Sequence, residues 1–259
     1  MIKTLGIING LLATDRHRRN VSRTLGGKTV LEWVARQMTD SLRLDGVVVV
    51  TDHSEENMFV KMMTPLDVPV FMTNAADTLS ALSKTLESFQ AEHCVYIGLD
   101  WPLIDSQLID RLIIAAESNP NGKYAAFQFD KDSDKGDSRK GRPFGMFAEW
   151  YEVKALHRAN RKATDPIHRA FPGLYFLECA EKPSLTLIPA PQPFCEHDLC
   201  LTIENEDDWD NVTMIFEAID ADNIHWRHIA ERLLALPPKG KTESKARHAK
   251  SKSKTFAGK

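Results

Sequence analysis

Cys94-Val95-Tyr96-Ile97-Gly98-Leu99-Asp100-Trp101-Pro102-Leu103-Ile104-Asp105 is the stretch that decides the fold of this chain. Its first six residues form a short run without the polar alternation of a half-exposed strand, as expected of a strand covered on both faces. Asp100 stands where that strand ends, and a helix follows Asp105 with Leu108, Leu112 and Ile113 inward. The same unit is written upstream. Thr4–Ile8, Val47–Val50 and Val68–Met72 read as strands of the same kind. Val30–Leu42 reads as a helix with Leu31, Val34 and Met38 on one face. Asp77 is an N-cap for a second helix, whose Leu79, Leu82, Leu86 and Phe89 recur at spacings of three and four. Strands and helices alternating in this way predict an α/β fold, a Rossmann-like three-layer α/β/α domain with a mostly parallel sheet. Such sheets bind ligands beyond the carboxyl ends of their strands.

The second half is less regular. A strand is expected at Tyr124–Phe129, a polar loop at Asp130–Arg142, a helix at about Glu149–Lys162, and strands near Leu174–Leu177 and Leu185–Ile188. Helices at about Asp207–Ile219 and Ile224–Leu236 complete one domain over residues 1–236. The Lys/Ser-rich segment 237–259 holds eight basic residues and one acid, Glu243, and is expected to be a disordered tail that touches anionic partners weakly.

At 259 residues, with 42% hydrophobic and 27% charged positions, the composition excludes wholesale disorder, a collagen-like chain and a disulfide-stapled miniprotein. The net charge of −3 is the sum of a +7 tail and a −10 body, so the count gives no sign of a basic nucleic-acid-binding face on the body. Cys94, Cys179, Cys195 and Cys200 have neither C-x-x-C nor zinc-site spacing, and a reduced, cytoplasmic protein is the expectation. Leu5–Ala13, interrupted by Asn9 and Gly10, reads as a buried first strand and not as a signal segment, and no stretch reaches the roughly 20 apolar residues of a membrane span.

Three segments can carry chemistry. The loop from Asn9 and Gly10 to Lys28 contains Arg16, Arg18, Arg19 and Arg23 ahead of Gly26-Gly27-Lys28. Set between a first strand and a first helix, it can gather guanidinium forks and backbone N–H groups around phosphates, or simply be a solvated basic loop. Asp100 at a strand end can hold Mg²⁺ against phosphates, or merely form a turn. In Leu201-Thr202-Ile203-Glu204-Asn205-Glu206-Asp207-Asp208-Trp209, Asp207 or Asp208 caps the next helix, and Glu204, read at a strand end, offers a second metal carboxylate.

In this order the three segments resemble the cytidylyltransferases that include spore-coat polysaccharide nucleotidyltransferases, CMP-Kdo synthetases and acylneuraminate cytidylyltransferases. The family pattern A-R-x-x-S-x-R-L-P-G-K, then G-G-K-P-x-L-E, finds Thr14 at its serine, Arg16 at its second arginine, and Gly26-Gly27-Lys28-Thr29-Val30-Leu31-Glu32 at its end. Leu99 to Asp105 matches G-D-x-P-L-I-D at all but one fixed position. Leu201 to Trp209 aligns with L-T-V-D-T-P-E-D-L, with Glu204 at the aspartate. Glu149, Ala155-Leu156, Asp165-Pro166 and Arg169 resemble the middle segment more loosely. The departures are Leu11 at the first arginine, Arg18-Arg19-Asn20 at P-G-K, and glutamate at 204. Arg18 and Arg19 are expected to replace the missing cations, because a shift of one or two residues in a loop is within reach of a long side chain.

The resemblance implies transfer of CMP from CTP to a sugar or sugar acid with release of pyrophosphate, as in nucleotide-sugar and polysaccharide biosynthesis, with Mg²⁺ as cofactor and, by analogy, a homodimer. It implies Asp100 and Glu204 as metal ligands, Arg16 and Asp100 as catalytic residues, and Asn9, Gly10, Thr14, Arg16, Arg18, Arg19 and Lys28 around the nucleotide and its phosphates. Glu149, His168 and Arg169 fall to the second substrate. Two alternatives remain open: a non-catalytic relative that binds a nucleotide or sugar, and a nucleotide-sugar-dependent glycosyltransferase, whose usual D-x-D motif Asp100-Trp101-Pro102 does not supply. Asp130, Asp132 and Asp134 imitate the start of an EF-hand, but Lys135 and Gly141 occupy its glycine and glutamate positions, so calcium binding is not expected. Trp101 is read as core-filling.

Overall fold

The computed structural model describes residues 2–11, 15–128, 145–195, 201–203, 205–219 and 224–235, without the side chains of Arg16, His17, Lys182, Pro193 and Cys195. Thr14, Glu204, the loop expected at Asp130–Arg142 and the tail at 237–259 lie outside the described residues.

The chain runs β1 (Ile2–Asn9), α1 (Asp15–Ser22), β2 (Thr24–Leu25), β3 (Lys28–Thr29), α2 (Val30–Thr39), β4 (Gly46–Asp52), α3 (Met58–Met63), β5 (Val70–Thr73), α4 (Thr78–Phe89), β6 (Ala91–Gly98) and α5 (Ser106–Glu117). It continues through β7 (Tyr124–Gln128), β8 (Glu149–Glu152), α6 (Val153–Lys162), α7 (Pro166–Ala170), α8 (Pro172–Cys179), β9 (Leu185–Pro189), α9 (Gln192–Cys195), α10 (Glu206–Ala218) and α11 (Trp226–Ala235). Seven strands form one sheet in the order β5-β4-β1-β6-β8-β7-β9. Only β8 runs against its neighbours in that sheet.

The apolar strands are covered on both faces, as their sequences predict. Ile8, Val47, Val49, Val95 and Ile97 face one core with α2, α5, α10 and α11. Leu5, Ile7, Val48, Val50 and Cys94 alternate into a second core under α4, α6 and α8. Asp77 caps α4 as expected, accepting from the Ser80 N–H (2.8 Å), and Asp105 caps α5, accepting from the Leu108 N–H (2.9 Å), but α10 is capped by Asn205 and not by Asp207 or Asp208. Gly26 and Gly27, both at positive φ, close the two-residue β2–β3 hairpin, where a side chain would be strained.

Four other expectations are corrected. The loop from Asn9 to Lys28 contains helix α1, whose sequence Asp15-Arg16-His17-Arg18-Arg19-Asn20-Val21-Ser22 has too few apolar residues to show a period. Glu149–Glu152 is a strand, not the start of a helix: Trp150 faces one core and Tyr151 the other, which is the period of two. Leu174–Leu177 lies in helix α8, which Pro172 starts at its first turn, and not in a strand. Leu201–Ile203 belongs to no strand.

Arg169 ties three helices together. Its Nε donates to Asp77 (2.7 Å), Nη1 to the carbonyls of Asn160 (3.1 Å) and Ala163 (3.0 Å), and Nη2 to Ser80 Oγ (2.7 Å) and Asn160 Oδ1 (2.8 Å). All five guanidinium hydrogens are thereby used. Burial pushes the Asp77 carboxyl up, but hydrogen bonds from Arg169 and Ser80, with the guanidinium charge, outweigh it and hold Asp77 below the usual carboxylate range.

Arg169→Ala is expected to lower the unfolding free energy by about 2 kcal/mol in urea denaturation, since it strands a partly buried carboxylate. Because Asp77 titrates below its unfolded value, its charge stabilises the fold above about pH 4 and ceases to do so as pH falls through the lower folded pKa. The stability gap between the wild type and Asp77→Asn should therefore close below pH 4, and a constant gap from pH 6 to 2.5 would refute this account.

Candidate active site

Strand β1 lies between β4 and β6; the chain goes from β1 to β4 on one flank and from β6 to β7 on the other, and such a switch point is where an open α/β sheet forms its binding crevice. Asn9, the last residue of β1, is opposite Gly98, the last of β6. Beyond them the backbones divide. The Leu99 N–H donates to the Asn9 carbonyl (3.2 Å), while the Gly10 N–H donates across to Val50 (2.7 Å) and Thr51 Oγ1 donates to the Gly10 carbonyl (3.1 Å). A Cβ at Gly10 would lie 2.9 Å from the Val50 carbonyl oxygen, so this crossing requires glycine.

The Asn9 amide is fixed at both ends. Its Oδ1 accepts from the Leu11 N–H (3.2 Å), which leaves Nδ2 to donate to the Tyr96 hydroxyl (3.0 Å). Burial, and then the nearby charge of Glu149, push the Tyr96 phenol far above its ordinary pKa, so it stays protonated. Tyr96 and Glu149 are partners across β6 and β8. Glu149 accepts from the Tyr124 hydroxyl (2.9 Å) and the Tyr151 hydroxyl (2.6 Å), so this carboxylate is held among aromatic rings beside the crevice.

Asp100 follows β6 after one residue, Leu99. At Gly98 a Cβ would stand 2.6 Å from Asp100 Oδ1 and 2.7 Å from Trp101 Nε1, so both side chains fold back over the strand end where no side chain obstructs them. Trp101 packs on the core, as expected, and meets Tyr96 edge to face at 6.5 Å. Ile203 arrives from the far end of the chain, and its N–H donates to the Asp100 carbonyl (3.1 Å).

The basic residues near this crevice are already engaged in part. Arg18 pairs with Asp15 and Arg23 with Glu206 (2.8 Å), the Arg23 guanidinium also lying 4.2 Å over the Trp209 ring. Lys28 sits over Trp33 (4.7 Å), Arg19 is exposed, and Leu11 packs on the second core. His168 pairs with Glu178 (2.8 Å).

The structure thus brings Asn9, Gly10 and Asp100 to one crevice with α1 following the first of them, places Glu149 beside it, and commits Arg169 to the helices. Sequence reasoning gave no role to Tyr96 or Asn20. The tyrosine's signal was its place on the strand that leads to Asp100, two residues before Gly98. Among the described residues no cluster of three or more His, Cys, Asp or Glu could hold a metal, and no helix is long and apolar enough to cross a membrane.

The family model of MobA-like NTP transferase domains matches residues 21–171. An uncharacterised protein of Methanocaldococcus jannaschii is 24% identical over 233 residues, covering 90% of each chain. A cytidylyltransferase structure from Leptospira borgpetersenii serovar Hardjo-bovis superposes with a TM-score of 0.77 at 18% identity, over 91% of this chain and 95% of that one. A CMP:2-keto-3-deoxy-manno-octonic acid synthetase solved with CTP gives 0.62 at 11% identity, over 83% and 98%.

Gly98→Ala should displace Asp100 and Trp101. A shifted tryptophan emission spectrum and a loss of about 1–3 kcal/mol of stability are expected, and an unchanged spectrum would show that the crevice accommodates the methyl group.

Proposed function

Because the chain belongs to the family of MobA-like NTP transferase domains, and so to the nucleotidyltransferases, we propose that it is a cytidylyltransferase that transfers CMP from CTP to a hydroxyl of a sugar or sugar acid. The acceptor oxygen forms a bond to the α-phosphorus, the bond from that phosphorus to the bridging oxygen of the β-phosphate breaks, and pyrophosphate leaves with the hydroxyl proton released. The observation that carries this reading is the meeting of Asn9-Gly10 and Asp100 at the switch point, with helix α1 following directly.

The donor set suits a hard divalent cation such as Mg²⁺. That ion takes one or two protein carboxylates and fills its remaining positions with water and phosphate oxygens, so Asp100, turned back over Gly98, with Glu204 as the second carboxylate that the resemblance assigns, would meet its needs without a third acid. When bound, the cation would neutralise charge on the phosphates and on the pyrophosphate leaving group.

The protein's own groups do the rest. Arg16, Arg19 and the Gly10 backbone are assigned to the triphosphate, with Thr14 and Arg18 beside them and Lys28 at the rim. Asn9, held by Leu11 and Tyr96, presents a fixed amide edge to the nucleotide. Glu149 and His168 are assigned to the acceptor. The chemistry is mainly positioning and charge neutralisation, so no covalent intermediate is needed. The non-catalytic alternative is favoured by one feature, the apolar Leu11 at a position where the resemblance expects an arginine.

Pyrophosphate release from CTP and Mg²⁺, measured against a panel of neutral and acidic sugars including 3-deoxy-manno-octulosonate and N-acetylneuraminate, separates the two. A turnover that Asp100→Asn lowers about 100-fold is expected. CTP binding without turnover on any sugar would establish the non-catalytic reading instead.

A further inference from the structure

We propose that Asn20 is a positioning residue that locks helix α1 to the strand end carrying Asp100. The inference rests on the nucleotidyltransferase reading above. Asn20 is 2% exposed. Its Nδ2 donates to the Ile203 carbonyl (3.2 Å), and the Ile203 N–H donates in turn to the Asp100 carbonyl (3.1 Å). Three segments far apart in the chain are thus joined in series by two hydrogen bonds, through one residue, immediately behind the crevice.

A second contact holds the same segment farther along. Arg23 lies one turn beyond the buried Asn20, pairs with Glu206 and covers Trp209. Asn205, the cap of α10, accepts from the Asp208 N–H (3.0 Å). Ile203 is therefore fastened to α1 through Asn20 and to the chain just past β6 through the Asp100 carbonyl, and Glu206 and Trp209 are fastened to Arg23, just past the end of α1.

Position 20 is where the resemblance places the lysine of P-G-K. A lysine there would extend a charge toward phosphate. An amide this buried cannot do so, and it makes a tether instead. The consequence is mechanical. Near-octahedral coordination at about 2.1 Å tolerates little displacement of its carboxylates, so whatever sets the spacing between α1 and the Asp100 backbone sets how well one cation can touch triphosphate and protein together. Asn20 touches neither nucleotide nor metal; it acts through Ile203.

Asn20→Leu keeps the volume and removes the donor. Mn²⁺ binding in the presence of saturating CTP, followed by electron paramagnetic resonance, is expected to weaken about tenfold, while CTP affinity in EDTA stays within twofold of the wild type. Unchanged Mn²⁺ binding, or an equal fall in both affinities, would overturn the proposal, the second outcome marking general loss of structure. If Asn20→Leu does not fold, hydrogen exchange on the wild type decides: CTP in EDTA should slow exchange of the Ile203 amide at least threefold, and no slowing refutes the tether. A wild-type protein that binds no CTP would defeat the nucleotidyltransferase reading itself, whereas CTP and Mn²⁺ binding indifferent to Asn20→Leu would defeat this inference alone.

Discussion

The parallel pairing of β1 with β6 is the constraint on which the site depends. It sets Asn9 opposite Gly98, and the chain then goes from β1 to the β4 flank of the sheet and from β6 to the β7 flank. Neither strand end could serve alone. Gly10 must approach the Val50 carbonyl closely, and Gly98 must leave room for Asp100 and Trp101 to turn back. The two glycines come together, Gly98 at the end of β6 and Gly10 just past the end of β1, because the register pairs Asn9 with Gly98. The helices bury the apolar faces that hold this register, and a register slip of one residue would exchange the two cores. Local chemistry at the crevice is therefore a consequence of packing across the whole sheet.

The strands of the first half were legible because burial on both faces leaves uninterrupted apolar runs, which sequence displays directly. The capped helices α4 and α5 were legible for a similar reason, each pairing an aspartate cap with apolar residues at helical spacing. Helix α1 was not, since Asn20 and Val21 are the buried residues among its described side chains and its sequence carries almost no periodic signal. Glu149–Glu152 and Leu174–Leu177 failed in another way. Four-residue apolar or aromatic segments fit either period, and only their neighbours decide. Trp150 and Tyr151 diverge to opposite cores, whereas Phe176 turns from α8 onto Tyr124 and Tyr151.

Of the candidate site, the strand-end residues were readable because strand ends are where parallel sheets expose backbone to ligands. The charges were harder to read. Arg169 looks in sequence like a substrate ligand, yet its five donors close a junction of α4, α6 and α7. A guanidinium satisfied by two backbone carbonyls, two side-chain oxygens and a carboxylate contributes rigidity in place of recognition. Conversely Asn20, an uncharged residue in a basic run, carries a long-range tie that no spacing rule reveals.

The helical state of α1 also changes what its arginines can do. In a loop, a cation displaced by one or two positions can swing to the same phosphate. On a helix each step turns the side chain by about 100°, so neighbours in sequence point to different faces. Asn20 and Val21 are turned inward, Arg19 is exposed, and Arg18 pairs with Asp15. Arg18 and Arg19 therefore do not act as interchangeable substitutes for a lost lysine. A change from loop to helix at this point trades adaptable charge for fixed placement. Fixed placement is useful only if the helix itself is held, and the buried amide of Asn20, bonded to the Ile203 carbonyl, supplies that hold.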